Sequence, residues 1–301
     1  MLSNQAGALI HGLDLSRPLS ESVFQDIYTT HLLWANFIIT GQNHISSEDY
    51  IRFCRRFGEI IIGVPSTSRH KKYSKSDVNN IETLKYTLPD HPEIFVISNI
   101  EQQGKPVGLS QAGLYWHSDL YYLPEPAKVT FLLGKILPTT GGDTLILNSY
   151  EVFDAMPTAL KKRVKGVWMH HSWTAGWPYT FPSREPLSRE EHAVTPDVEH
   201  PLVGCHPETG RLFLYPGALY DFENPGTRPI GLTDQESSTL LQDLKDYVLS
   251  ERFIHRHKWC VGDILSTDDV AGMHRATTFN DTLELRTLHR ITIKGIAPIA
   301  A

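Results

Sequence analysis

The chain has 301 residues, 41% of them hydrophobic and 21% charged, with a net charge of −6. That balance leaves no electrostatic footprint for nucleic acid or an anionic membrane, and no apolar run reaches the roughly 20 residues a spanning helix needs. Three cysteines (Cys54, Cys205 and Cys260) are too few and too scattered for a disulfide framework or a thiolate metal site. The first ten residues lack a charged stretch before an apolar one, so no signal peptide is expected and a cytoplasmic setting is. A length of this order suits one large domain or two small ones. A single domain over residues 1–301 is preferred, because no repeat or composition break divides the chain.

Residues 20–33 carry apolar side chains at helical spacing, and Phe37-Ile38-Ile39 then reads as a strand. Ser46-Ser47-Glu48-Asp49 opens a second helix like a capping box, with Tyr50, Phe53, Cys54 and Phe57 on one face. Residues 65–91 are polar and basic and too long for a routine connection. A lid or substrate loop is therefore expected over residues 64–113. From Glu93 the chain turns to strands, at 93–98, 128–137 and 144–147. A helical pair broken at Pro157 follows over residues 150–164. Residues 206–210 read as a hairpin turn between strands at 201–205 and 211–215. Thr233-Asp234-Gln235-Glu236 caps a helix to about Leu249. Strands at 253–259, 263–266 and 286–294 close the chain. The expected class is mostly β with flanking α: a double-sheet jelly roll with helices packed outside.

His117-Ser118-Asp119, answered by His274, carries the chemistry. Residues two apart on an extended segment share a face, so His117 and Asp119 can chelate one ion while Ser118 points away. Two histidines and a carboxylate form the facial triad that holds ferrous iron and leaves positions open. Two competing His-x-Glu triplets, His91-Pro92-Glu93 and His206-Pro207-Glu208, have central prolines and read as turns. His289 is a rival third ligand, but no arginine follows it at suitable spacing. His170, His171, His255 and His257 read as strand-surface or satisfied core histidines. If a keto diacid such as 2-oxoglutarate joined the metal, its distal carboxylate would need a buried cation. Arg286, twelve residues after His274, suits that task, and Thr144 can add a hydroxyl.

With these residues in view, the chain resembles the taurine dioxygenase (TauD/TfdA) family of iron and 2-oxoglutarate-dependent oxygenases. The resemblance rests on Trp116-His117-Ser118-Asp119, Pro124-Glu125-Pro126, Gly141-Gly142-Asp143-Thr144 and His206-Pro207-Glu208-Thr209-Gly210-Arg211. It continues through Trp259, Gly262-Asp263 and the ending Leu288-His289-Arg290-Ile291-Thr292-Ile293-Lys294-Gly295, in family order over nearly the whole chain. It implies a double-stranded β-helix core with Fe(II) on His117, Asp119 and His274, and 2-oxoglutarate held by Thr144 and Arg286. O2 would be the second co-substrate, and a C–H bond of a small organic substrate would be hydroxylated with release of succinate and CO2. Arg290 stands where family members meet a substrate anion, or else supports the co-substrate and core. Leu120 and Tyr122 are expected in the pocket wall.

Some positions depart from the family pattern. Thr267-Asp268-Asp269 replaces the Trp-Asp-Asn stretch before the distal histidine, Gly113 replaces an asparagine, and Phe57-Gly58-Glu59 leads into isoleucines rather than a histidine. Taurine is therefore not the favoured substrate. The same three ligands could serve a zinc hydrolase, or survive in a catalytically silent ligand-binding jelly roll. No nucleic-acid or membrane partner is expected, and the sequence leaves room for a homo-oligomer.

Overall fold

Strict alternation of side chains along the long strands builds the architecture. In a computed structural model, which describes residues 1–62, 86–110, 112–182, 184–220 and 223–301, seven strands form one sheet. Their order is Ala8–Ile10, Asn36–Ile39, Ile264–Asp268, Ala127–Ile136, Thr287–Lys294, His91–Ser98 and Thr87–Leu88. Only the pairing of the first two is parallel. Phe37, Ile39, Phe131, Leu133, Ile264, Ile291 and Ile293 face outward and pack with Phe24, Ile27, Tyr50, Phe53 and Phe57 from two helices, Glu21–Trp34 and Ser47–Cys54, and the 3-10 turn Arg55–Phe57. The intervening residues Ile38, Leu132, Leu265 and Leu288 face inward and meet Ile146 of a second sheet.

That second sheet orders Ala218–Leu219, Trp116–His117, Gly272–Ala276, Thr144–Asn148 and His255–His257, all antiparallel. Its outer side chains, among them Trp116, Leu147 and Met273, pack against Val152, Leu160, Leu240, Leu244 and Val248 from three helices, Ser149–Asp154, Thr158–Val164 and Asp234–Val248. The result is the expected jelly roll, with helices outside both sheets. Of the foreseen capping boxes, Ser46 with Asp49 and Thr233 with Glu236 both form.

Several expectations need correcting. Residues 91–93 lie in strand rather than turn, since a residue before proline is pushed toward extended backbone. The strand expected over residues 253–259 shrinks to His255–His257, because Phe253 closes a turn onto Ser250. Two helices, Trp173–Thr180 and Arg189–Val194, were not foreseen. Of the expected lid over residues 64–113, residues 64–85 and 111 lie outside the described residues. The described part forms the strands Thr87–Leu88 and His91–Ser98 and the small hairpin of Glu101–Gln102 with Lys105–Pro106.

Candidate active site

The inner faces of the sheets bring the sequence-separated histidines together. His117 is paired directly with His274 in the second sheet, and their rings lie 4.4 Å apart. Ser118 does point away, donating its hydroxyl to the Gly272 carbonyl. Asp119 lies beyond the short strand, in a turn where Leu120 takes φ +59°. A left-handed leucine costs about 1–2 kcal/mol, so the turn that aims Asp119 is held by its surroundings. Thr130 Oγ1 donates to Asp119 Oδ2 at 2.7 Å, and the Asp119 backbone N–H donates to Asp269 Oδ1 at 2.8 Å. Oδ1 is left facing His117 Nε2 at 3.6 Å and Arg290 Nη1 at 3.5 Å.

Nδ1 of His117 lies 2.8 Å from the Tyr115 carbonyl. A carbonyl only accepts, so Nδ1 carries the proton and Nε2 offers its lone pair. His274 makes no hydrogen bond among the described residues, and its Nδ1 is fully buried. Burial pushes its pKa down to about 3, which keeps the imidazole neutral. Burial opposes charge on Asp119, but Arg290 and the two imidazoles outweigh it and hold the carboxyl well below the usual carboxylate range. One ligand atom from each of the three lies within 4.8 Å of the others. Two imidazoles, one carboxylate and a buried ring nitrogen unpartnered among the described residues fit a divalent transition metal. Gly113 makes room for this arrangement, since a Cβ there would stand 3.0 Å from His117 Cε1.

A cavity of about 60 Å³ opens beside the triad and is lined in part by Thr144, Arg286, Leu132 and Leu288. Arg286 is 7% exposed, and its Nε–H donates to the Gly142 carbonyl at 3.0 Å. Burial lowers its pKa to about 10, which leaves it charged at neutral pH. A side chain at Gly142 would meet Arg286 Nε at 3.1 Å, so the glycine admits the guanidinium. Thr144 Oγ1 accepts the indole N–H of Trp259 at 3.0 Å, which leaves its own hydroxyl proton to donate.

A larger cavity of about 580 Å³ shares His117, Asp119 and Arg290 with the small one. Leu120 and Tyr122 line it, as expected, together with Tyr86, Leu109 and Ala112 from the segment expected to supply part of the wall. The sequence reading missed Trp173, Trp177, Phe181 and Arg184 in its wall. The aromatic density of residues 173–181 was an available signal. Thr130, Trp259 and Asp269, which orient the triad and Thr144, were also missed. Nothing in their local pattern separates them from ordinary strand and turn residues.

The rival histidines fall elsewhere. His91 lies 3.3 Å from Glu48, while Glu93 pairs with Arg55. His206 Nδ1 accepts the backbone N–H groups of Glu208 and Thr209, and Glu208 pairs with Lys128. His289 sits beside Arg290 on its strand, so its side chain takes the opposite face, and it lines neither cavity. His257 is buried 3.4 Å from Asp263, and His171 is buried with Nδ1 3.3 Å from Thr227 Oγ1. His170 sits 3.1 Å from Asp197, and His255 Nδ1 lies 2.7 Å from Ser3 Oγ.

Residues 2–292 match the protein family described as "Taurine catabolism dioxygenase TauD, TfdA family". The chain belongs to this family. It is 27% identical over 296 residues to the alpha-ketoglutarate-dependent 2,4-dichlorophenoxyacetate dioxygenase of Burkholderia sp. (strain RASC), covering 95% of this chain and 90% of that one. It is 24% identical over 297 residues to pentalenolactone F synthase of Streptomyces arenae, covering 95% and 91%. A solved taurine dioxygenase from Burkholderia xenovorans superposes with a TM-score of 0.74 at 27% identity, covering 99% of this chain and 89% of that one. The protein is accordingly a 2-oxoglutarate-dependent dioxygenase, an oxidoreductase that takes dioxygen and a small-molecule substrate. That class displaces the hydrolase and the silent-binder readings of the same three side chains.

Proposed function

We propose that His117, Asp119 and His274 hold Fe(II), and that 2-oxoglutarate lies in the 60 Å³ compartment with its distal carboxylate on Arg286 and Thr144. The observation that carries this is the meeting, in one buried cavity, of the triad with a desolvated guanidinium. That guanidinium has no carboxylate within ion-pair distance among the described residues. A buried cation of this kind is costly until an anion joins it. When bound, the metal would let dioxygen act as the oxidant, one oxygen atom converting a C–H bond to C–OH and the other entering succinate as the keto acid loses CO2.

The protein's residues do the rest. Tyr115 fixes the tautomer of His117 through its carbonyl, and Thr130 and Asp269 aim Asp119. Leu132, Leu288 and Ile97 keep water from the co-substrate compartment. Arg290, whose Nε is buried without a partner among the described residues, meets an acidic group of the substrate beside the triad. Leu120 and Tyr122 bound its apolar body. The named substrate of one relative, 2,4-dichlorophenoxyacetate, is an aryl acid, and that chemistry suits an aromatic wall with an arginine at the metal end. Because both sheets contribute to the site, one catalytic domain over residues 1–301 is the natural unit. Three free cysteines agree with a cytoplasmic setting.

Anaerobic addition of Fe(II) and then 2-oxoglutarate should produce a weak visible charge-transfer band, and aerobic turnover with aryl acids should release succinate. Absence of the band with saturating metal and keto acid overturns the assignment of the site. Arg290→Ala should abolish the stimulation of succinate release by acidic substrates while leaving the band in place.

A further inference from the structure

We propose that the substrate is a flat aromatic molecule with an acidic group at each end, and that Arg184 is the specificity residue for the second acid. The inference rests on the proposed function for the first acid, at Arg290, and deepens it. A volume of about 580 Å³ falls in the range of organic-ligand sites, roughly 300–1,000 Å³, and far exceeds what a small aliphatic sulfonate would fill. Its wall is a run of rings. Tyr122 stacks on Trp173 at 4.0 Å and 18°, Trp173 meets Trp177 at 5.5 Å, and Trp177 meets Phe181 at 4.7 Å. The run begins three residues after Asp119 and ends three residues before Arg184. Flat π faces favour a planar, unsaturated body over a branched aliphatic one.

Arg184 is held in place by its neighbours. Its backbone N–H donates to the Phe181 carbonyl at 3.0 Å, and the Trp177 indole N–H donates to the Glu185 carbonyl at 2.9 Å. Together these clamp the segment onto the helix Trp173–Thr180. The guanidinium lies 4.1 Å from the Phe181 ring centroid, and Nη2 donates to the Ser110 carbonyl at 3.2 Å. No carboxylate lies within ion-pair distance of it among the described residues. Glu185 and Glu191 also line the cavity, but neither pairs with the guanidinium, and Glu191 accepts the Ser188 N–H in a capping box. Of five N–H donors on the guanidinium, one therefore has an acceptor among the described residues. A half-buried, forked cation with free donors on an aromatic wall is a carboxylate receptor. Arg290 lines both cavities, whereas Arg184 lines the large one alone. The two cations thus define separate positions for two acids, one beside the triad and one away from it.

The test uses the full chain with Fe(II) and 2-oxoglutarate under argon, titrated with naphthalene-2,6-dicarboxylate and with 2-naphthoate. Tryptophan fluorescence reports on Trp173 and Trp177. The diacid should bind about tenfold tighter than the monoacid, the scale of one charge-assisted contact. Arg184→Met should remove that advantage while leaving 2-naphthoate within twofold of wild type, and Trp177→Leu should weaken both ligands. Equal affinity of the two acids, equal loss of both in Arg184→Met, or no binding of either overturns the proposal. Retained 2-oxoglutarate affinity in Arg184→Met confirms that the variant folds. The charge-transfer band formed before any aryl acid is added tests the metal site separately. A missing band with intact discrimination between the acids would sink the first reading and spare the second.

Discussion

Replacing Arg286 by methionine separates a binding role from a structural one, because the two roles predict opposite signs. The guanidinium is 7% exposed and remains charged at neutral pH, although burial lowers its pKa to about 10. Among the described residues its side chain makes one hydrogen bond, 3.0 Å from Nε to the Gly142 carbonyl, and the nearby Asp143 carboxylate is 3.0 Å from Arg256 instead. In the absence of a ligand the charge is desolvated, with Asp143 as a distant counter-charge and no carboxylate within ion-pair distance among the described residues. Methionine fills similar space without it, at the expense of one carbonyl acceptor, worth about 1 kcal/mol. The Tm of the ligand-free protein should therefore stay level or rise. A bound dianion would lose its buried partner, a change of about 3–5 kcal/mol, or on the order of a hundredfold to several thousandfold in Kd. Anaerobic titration of the Fe(II) protein with 2-oxoglutarate measures the Kd, and a thermal melt measures the stability. A Kd within threefold of wild type would refute the assignment of Arg286 to the distal carboxylate. A collapse of Tm would instead mark it as a structural arginine.

Thr130→Val removes the hydroxyl that orients Asp119 Oδ2 while nearly keeping its shape. Metal affinity, read by competition with a chelator, should fall about 10–100-fold, and an unchanged affinity would show that the turn alone holds Asp119. Trp259→Phe removes the N–H that Thr144 Oγ1 accepts. The freed hydroxyl should rotate, and 2-oxoglutarate affinity should fall about three- to tenfold, a contribution near 1 kcal/mol, with metal affinity intact. His31 is wholly buried among Phe37, Phe57 and Tyr28, and burial pushes its pKa down to about 3. The unfolded chain takes up this proton near pH 6.5 and the folded one does not, so stability is lost as pH falls below about 6.5, at about 1.4 kcal/mol per unit. Asp268, 3.6 Å away and raised to about 7 by burial, contributes with the opposite sign in wild type and variant alike. Urea unfolding at pH 7.5 and 5.5 should therefore show His31→Phe losing about 1.4 kcal/mol less between the two than wild type does. An equal loss would mean that His31 is not held neutral.

The contrast between His117 and Trp173 shows what could be read from the chain. That His117, Asp119 and His274 would cluster, with Thr144 and Arg286 in the adjoining cavity, was legible because metal and dianion chemistry restricts residue types tightly. The facing helices were legible too, since Ser46 and Thr233 cap locally and apolar spacing repeats every turn. Trp173, Trp177, Phe181 and Arg184 carry no such restriction, because a substrate wall is built from residue types that also build cores.

Local chemistry determined the strands, the caps and the candidate ligand set, since each depends on neighbours a few residues away or on what one ion will accept. Only tertiary structure decided that Thr287–Lys294 runs with Arg290 and Leu288 turned inward, and that Gly113 and Gly142 leave space for His117 and Arg286. It alone placed an aromatic helix from residue 173 onward over the triad. Those outcomes depend on which faces of distant strands meet, and pairing across more than a hundred residues is not encoded in any window of the chain.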